Sequence, residues 1–195
     1  MKFKIFSYEK VSSTNDIAME LVKEKGEESG LVFAKMQTKG RGTRGNEWVS
    51  LSGNLFATIF FPLRAEYPPF NEFAIINPII LSDVIKNFCE NENICLKFPN
   101  DIFVNKKKIC GILQEVVISN EIKFLIIGIG INIKNNPNID KGYEATNIFK
   151  ETKSMPQSKE IIKLIISSYE KFFEELSGYN FDNYKKKAEL MALNK

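Results

Sequence analysis

The stretch from Ile94 to Ile133, ICLKFPNDIFVNKKKICGILQEVVISNEIKFLIIGIGINI, decides the fold. Residues 94–118 read as strand, turn and strand around Asn105 and Lys106, and residues 122–133 as the next strand. Leu125 to Ile133 is strongly apolar, but a membrane span needs ~18–20 such residues. This run is shorter and broken by glycine, so it reads as a buried strand. Working outward, residues 54–62 form another apolar strand closed by Pro62. Residues 31–36 read as a strand, and residues 2–8 alternate like an edge strand. Helical spacing places Ile17, Ala18, Leu21 and Val22 on one face of a helix over 14–26, ended by Gly26. Ser13, three residues before Asp16, suggests a capping interaction there. Residues 72–90 are helix-like. Residues 157–177 carry a long stripe of Ile161, Ile162, Ile165, Ile166, Tyr169, Phe172, Phe173 and Leu176. A shorter helix is expected over 181–192, and 135–142 is turn-rich. The expected class is α+β, with strands clustered in the middle and helices packing on one side.

The 195 residues are 44% hydrophobic and 12% aromatic, enough for one domain with a real core. The net charge of +3 is small. The basic residues are scattered and the one tight cluster, Lys106–Lys108, is short, so no nucleic-acid partner is expected. Met1–Tyr8 lacks a signal-peptide core, and no membrane partner is expected; the location reads as cytoplasmic. Cys89, Cys95 and Cys110 form no CxxC pair, which argues against a disulfide framework or a zinc site. Histidine is absent. That excludes Ser-His-Asp triads, Cys-His nucleophiles and histidine-ligated metals. Chemistry must rest on Lys, Arg, Asp, Glu, backbone amides, or phosphates and Mg²⁺ brought by a substrate. Electrostatic catalysis fits that set better than proton shuttling.

Five segments carry candidate chemistry. Residues 37–53 read as a long loop, containing Gln37-Thr38-Lys39-Gly40-Arg41-Gly42-Thr43-Arg44-Gly45-Asn46-Glu47-Trp48. Loops of that length tend to be functional, and its arginines can fork onto a carboxylate or phosphate. It is not a P-loop, because GxxxxGK[ST] is absent. With no acidic partner evident for the arginines, the loop is expected to be mobile until ligands order it. Lys97-Phe98-Pro99-Asn100-Asp101 presents an amide and a carboxylate, or is simply a turn opening a hairpin. In Lys108-Ile109-Cys110-Gly111-Ile112-Leu113, alternation places Lys108 and Cys110 on one face and Ile109 on the other. Lys108 is either an exposed hairpin lysine or faces an anion, and Gly111 marks a close backbone approach or a bulge. Gly128-Ile129-Gly130-Ile131-Asn132 lacks the third glycine and the helix of a dinucleotide fingerprint. Ser12-Ser13-Thr14-Asn15 is a helix cap or part of a site.

Taken together and in this order, these segments resemble the catalytic domain of biotin–protein ligases. The matching residues are Ser13-Thr14-Asn15, Gln37…Gly40-Arg41-Gly42…Arg44-Gly45…Trp48, Lys97-Phe98-Pro99-Asn100-Asp101, Lys108…Gly111-Ile112-Leu113 and Gly128…Gly130-Ile131-Asn132. The resemblance implies a mixed sheet backed by helices, akin to class II aminoacyl-tRNA synthetases. It implies ATP-dependent formation of biotinyl-5′-AMP and transfer of biotin to a lysine of a biotin carboxyl carrier protein. Ser13, Thr14, Asn15, Gln37, Gly40, Arg41, Lys108 and Gly111 would bind biotin. Arg41, Thr43, Arg44, Asn46, Trp48, Asn100, Asp101 and Asn132 would bind ATP and the adenylate. Lys108, Arg41 and Asp101 would be catalytic. Mg²⁺ would arrive with ATP, with Asp101 as a candidate contact and no protein-only metal site. The protein would be a monomer or homodimer.

Three departures from the family pattern stand out. Phe98 occupies the position where a tryptophan is usual. Thr43 and Asn46 replace two arginines of the loop, which bears on retention of the adenylate. The expected organisation is a single catalytic domain over 1–195, without an N-terminal DNA-binding domain or the small C-terminal β-barrel. Two alternatives stay open. A lipoate ligase or octanoyltransferase shares the fold, and octanoyl transfer would use a cysteine near a lysine, such as Cys110 near Lys108. The other is a biotin-binding module that does not catalyse.

Overall fold

The computed structural model describes residues 1–138 and 142–193. Its strands are β1 (Lys4–Val11), β2 (Gly30–Gln37), β3 (Leu55–Pro62), β4 (Ile94–Lys97), β5 (Asp101–Val104), β6 (Lys107–Ser119) and β7 (Ile122–Ile131). They form one sheet in the order β1-β2-β3-β7-β6-β5-β4. β1 and β2 pair in parallel and every other neighbouring pair is antiparallel, so the sheet is mixed. A parallel pair needs a crossover, and α1 (Thr14–Lys25) supplies it. The hairpins turn where expected: Asn105 (φ 50°) and Lys106 (φ 63°) adopt the left-handed conformation between β5 and β6.

β3 lies inside the sheet, between β2 and β7, and is buried along its whole length. Its alternating side chains serve two cores. Ala57, Ile59 and Phe61 face α2 (Phe73–Lys86) and α4 (Ser158–Glu174), whose stripe Ile161, Ile162, Ile165, Tyr169, Phe172 and Phe173 is buried. Phe61 meets Phe173 edge-on at 4.9 Å. Phe60 points the other way and joins Val32, Val117, Phe124 and Ile126 beneath Ala18, Leu21 and Val22 of α1. The helices therefore cover both faces, which corrects the expectation of one side. Amphipathic spacing shows that a helix buries a stripe; it does not say on which side of the sheet. Two short helices, α3 (Ile148–Thr152) and α5 (Phe181–Met191), complete the chain. After α5, the Leu193 amide donates to the Leu96 carbonyl (2.9 Å), covering the β4 edge. Among the described residues, no helix is long and apolar enough to cross a membrane.

Two local readings change. Ser13 is extended before α1 but its side chain makes no capping bond. Asp16 is taken instead by Arg41 (2.8 Å). In β6, Ile102 opposes Cys110 while Phe103 opposes Lys108, which leaves Ile109 as a bulge. Ile109 and Cys110 are consecutive, yet both lie fully buried on the α2 side. Lys108 is thereby turned to the opposite face. Strict alternation had placed Lys108 and Cys110 together, and the extra residue separates them.

Candidate active site

α1 covers only part of its sheet face. Beyond its N-terminus the same face of β6 and β7, carrying Gly111, Leu113, Gly128 and Gly130, floors a cleft of about 750 Å³. The three glycines matter because side chains rest on their backbones. A Cβ on Gly111 or Gly130 would lie 2.5 or 2.3 Å from the Trp48 ring, and one on Gly128 would lie 2.4 Å from Asn15 Oδ1. The indole thus lies flat on two strands, with its Nε1 buried and without a hydrogen-bond partner among the described residues. Gly40 does not line the cleft but closes the base of the loop. Its carbonyl accepts from the Trp48 amide (2.9 Å), and a Cβ there would meet Trp48 O at 2.5 Å.

One end of the cleft is polar and neutral. Gln37 Oε1 accepts from the Thr14 amide (2.8 Å) and hydroxyl (3.1 Å), and Gln37 Nε2 donates to Ser50 (3.1 Å). Fully buried Thr58 holds Asn15 Oδ1 at 2.6 Å and Thr14 Oγ1 at 2.8 Å. Ser13, Thr14 and Asn15 are all buried at the cleft wall.

The other end is ionic. Lys108 Nζ lies 2.7 Å from Asp101 Oδ1, and the two side chains are 13% and 15% exposed. A pair this sheltered is a strong local field, since little water screens it. The Lys108 ammonium also lies 5.6 Å from the Trp48 ring and 5.3 Å from Tyr143. The backbone of Lys108 pairs with Glu144 and Thr146 (2.8 and 2.9 Å), which builds a wall carrying Tyr143. Asn100 donates to Thr43 Oγ1 (3.4 Å) at the cleft mouth. Arg44 stands at the crest of the loop (φ 57°), exposed, with no ion pair among the described residues. Asn46 also lines the cleft, and its side chain donates to Thr43 O (2.9 Å).

Arg41 departs from expectation. Its guanidinium forks onto Glu115 with two 2.8 Å bonds and adds Asp16 at 2.8 Å. The Glu115 hydrogen bonds hold this guanidinium above its ordinary pKa, with both carboxylates adding to the effect. The arginine does have protein anions; they lie far along the chain, in α1 and β6. Asn132 is likewise committed inward, accepting from Asn54 (3.3 Å) and donating to Thr146 O (3.0 Å).

Every expected residue except Gly40 lines this one cleft. Sequence reasoning missed Glu115, Thr58, Asn54 and Tyr143. Asn54 Oδ1 accepts the amides of Ile133, Lys134 and Asn135 (3.0–3.1 Å) and so shapes the turn after β7. A buried asparagine or threonine inside a strand was the available signal, because such groups need partners.

Cys110 is fully buried, and burial pushes its thiol far above the ordinary range; burial also raises Cys89, to about 11. Cys95 is half-buried. A disulfide-exchange reagent at pH 8 should therefore modify one thiol per native chain, at Cys95, and three after unfolding. Fast labelling of Cys110 in the folded protein would contradict its placement.

Residues 7–132 match the family described as biotin/lipoate A/B protein ligase. The chain is 31% identical over 191 residues to the bifunctional ligase/repressor BirA of Bacillus subtilis, covering 94% of this chain and 58% of that protein. It is 26% identical to the biotin–[acetyl-CoA-carboxylase] ligase of Paracoccus denitrificans, covering 78% of this chain and 66% of that protein. The chain thus spans roughly three fifths of the length of these relatives. Its fold superposes on the biotin protein ligase of Leishmania major in complex with biotinyl-5-AMP, with a TM-score of 0.83 and 26% identity over 98% of this chain and 84% of that one. The Aquifex aeolicus biotin protein ligase in complex with biotin and ATP gives a TM-score of 0.81 at 26% identity, covering 97% and 78%. A cleft of matching residues on a mixed sheet, found with these relatives, places the chain in the biotin/lipoate A/B protein ligase family.

Proposed function

We propose that this chain activates biotin with ATP and transfers it, through biotinyl-5′-AMP, to a lysine of a biotin carboxyl carrier protein. The carrying observation is the polarity of the cleft. The neutral Thr14–Gln37 end suits a ureido group, and the sheltered Lys108–Asp101 end suits a phosphate. Relatives bearing these ligands by name support the reading. In the first half-reaction a biotin carboxylate oxygen bonds to the α-phosphorus and pyrophosphate leaves. Two anions must meet, and Lys108 offsets their repulsion in a partly dry site. In the second, the acceptor amine attacks the acyl carbon, AMP leaves and the amine loses a proton. Histidine has no required part in either step.

Among the described residues the cleft lining carries two carboxylates, exposed Glu47 on the loop and sheltered Asp101 beside Lys108, and no cluster of three metal-ligating side chains occurs. That donor set fits Mg²⁺ entering on the nucleotide phosphates with at most one protein carboxylate, where it would neutralise charge. Arg41 is already shared between two carboxylates, so a substrate anion would compete for it. We place the reaction in the cytoplasm, in keeping with three free thiols.

Biotin-dependent ATP–pyrophosphate exchange, followed by mass analysis of an acceptor domain, tests the proposal, with lipoate run in parallel. Exchange with biotin and biotinylated acceptor are expected. Binding of biotin without exchange would make the chain a binding module, and exchange with lipoate alone would make it a lipoate ligase. Octanoyl transfer through Cys110 has no geometric support, because that sulfur lies in the core.

Thr43 tests adenylate retention. Its hydroxyl meets Asn100, where an arginine would span to a phosphate. Thr43→Arg should slow release of pre-formed biotinyl-5′-AMP roughly tenfold, equivalent to one charge-assisted bond. Equal rates would mean that Arg44 already does this.

A further inference from the structure

The loop between β2 and β3 is held at two points. Trp48 lies on Gly111 and Gly130, and Arg41 is gripped by Glu115 of β6. Between them residues 42–47 form a small arch, closed by the Gly42 amide on Asn46 O (2.7 Å) and the Arg41–Glu47 bridge. Glu115 also accepts from Asn15 Nδ2 (2.7 Å). One carboxylate therefore ties three elements: the start of α1, the root of the loop and the sheet. Its side chain is 24% exposed, so the fork is sheltered on one side.

We propose that Glu115 is a positioning residue, acting through Arg41 and Asn15. It fixes the root of the loop and the neutral end of the cleft before any ligand binds. Arg41 is then a structural strut whose charge is spent on Glu115 and Asp16, and the arch carrying Thr43 and Arg44 is the part left to respond to ligand. A bidentate guanidinium–carboxylate fork has the directionality this requires, and neither a lysine nor a neutral amide reproduces it. The consequence for substrate affinity rests on the proposed ligase activity; the anchoring itself does not.

Limited trypsin digestion of the ligand-free protein reads the anchoring directly. Cleavage after Arg44 should outpace cleavage after Arg41 by about tenfold or more, since a held bond opens rarely. Glu115→Gln should bring the two rates within about threefold. Equal cutting at Arg41 and Arg44 in the wild type, or undiminished protection in Glu115→Gln, would overturn the proposal. In pyrophosphate exchange, Glu115→Gln should raise the KM for biotin about tenfold and leave that for ATP within twofold, because Asp101 opens β5 and Asn100 precedes it, away from the contacts of Glu115. Equal changes in both constants would reduce Glu115 to general support. Absence of exchange in the wild type would instead count against the ligase reading, leaving the digestion to decide the anchor.

Discussion

Replacing Lys108 by alanine should lower biotin-dependent pyrophosphate exchange by at least about a hundredfold. The ammonium is sheltered, 2.7 Å from Asp101, at the ionic end of the cleft. A preorganised cation where anions converge contributes roughly 3 kcal/mol, and no reorganisation is needed at the moment of reaction. Truncation also strands Asp101, and an uncompensated carboxylate in a sheltered site is itself destabilising. The two effects separate with a second variant. Lys108→Ala combined with Asp101→Asn should recover most of the lost thermal stability and none of the lost exchange. If Lys108→Ala alone kept near-full exchange, the electrostatic mechanism would be wrong.

The second large effect is expected at Gly130. A methyl group there would sit 2.3 Å from the Trp48 ring, and β7 is clamped between β3 and β6 on either side. The ring must leave or the strand must shift. Overpacking of this kind costs up to about 3 kcal/mol, and at roughly 2–4 °C per kcal/mol the melting midpoint of Gly130→Ala should fall by about 10 °C. The penalty belongs to a contact, so it should vanish when the partner is gone. In Trp48→Ala the further change Gly130→Ala should cost almost nothing, giving a coupling energy close to the whole single-variant loss. Additive losses would mean that Gly130 is needed for its backbone and not for the indole.

Periodicity carried the element list well, because each helix and strand has one face that must be buried. The long stripe from Ile161 to Phe173 and the fully apolar β3 leave little choice. Two things were not in the pattern. The side of the sheet taken by α1 is set by the β1–β2 crossover and not by the helix's own stripe. The bulge at Ile109 breaks alternation at the one place where orientation decides chemistry, and it parts Lys108 from Cys110. For the site, the motif residues were visible because their types are unusual for a loop. Glu115 was not, because an acidic residue on a strand looks like any solvated position until Arg41 arrives from 74 residues away. Thr58 and Asn54 were hidden for the converse reason: their partners are mostly backbone or small polar groups, which leave no spacing to read.

Trp48 is the single tryptophan of the chain, and it lies against the floor of the cleft. The protein therefore carries its own optical probe. The six tyrosines also absorb, Tyr143 of the cleft wall among them, but excitation at the red edge selects the indole alone. With Nε1 shielded from water and a lysine ammonium 5.6 Å from the ring, both the colour and the yield of its emission depend on how it sits over Gly111 and Gly130. Any occupant that lifts the ring, covers it or draws Lys108 away will change the light without a label being attached. Stopped-flow fluorescence can thus time events inside the cleft separately from motions elsewhere in the sheet and helices.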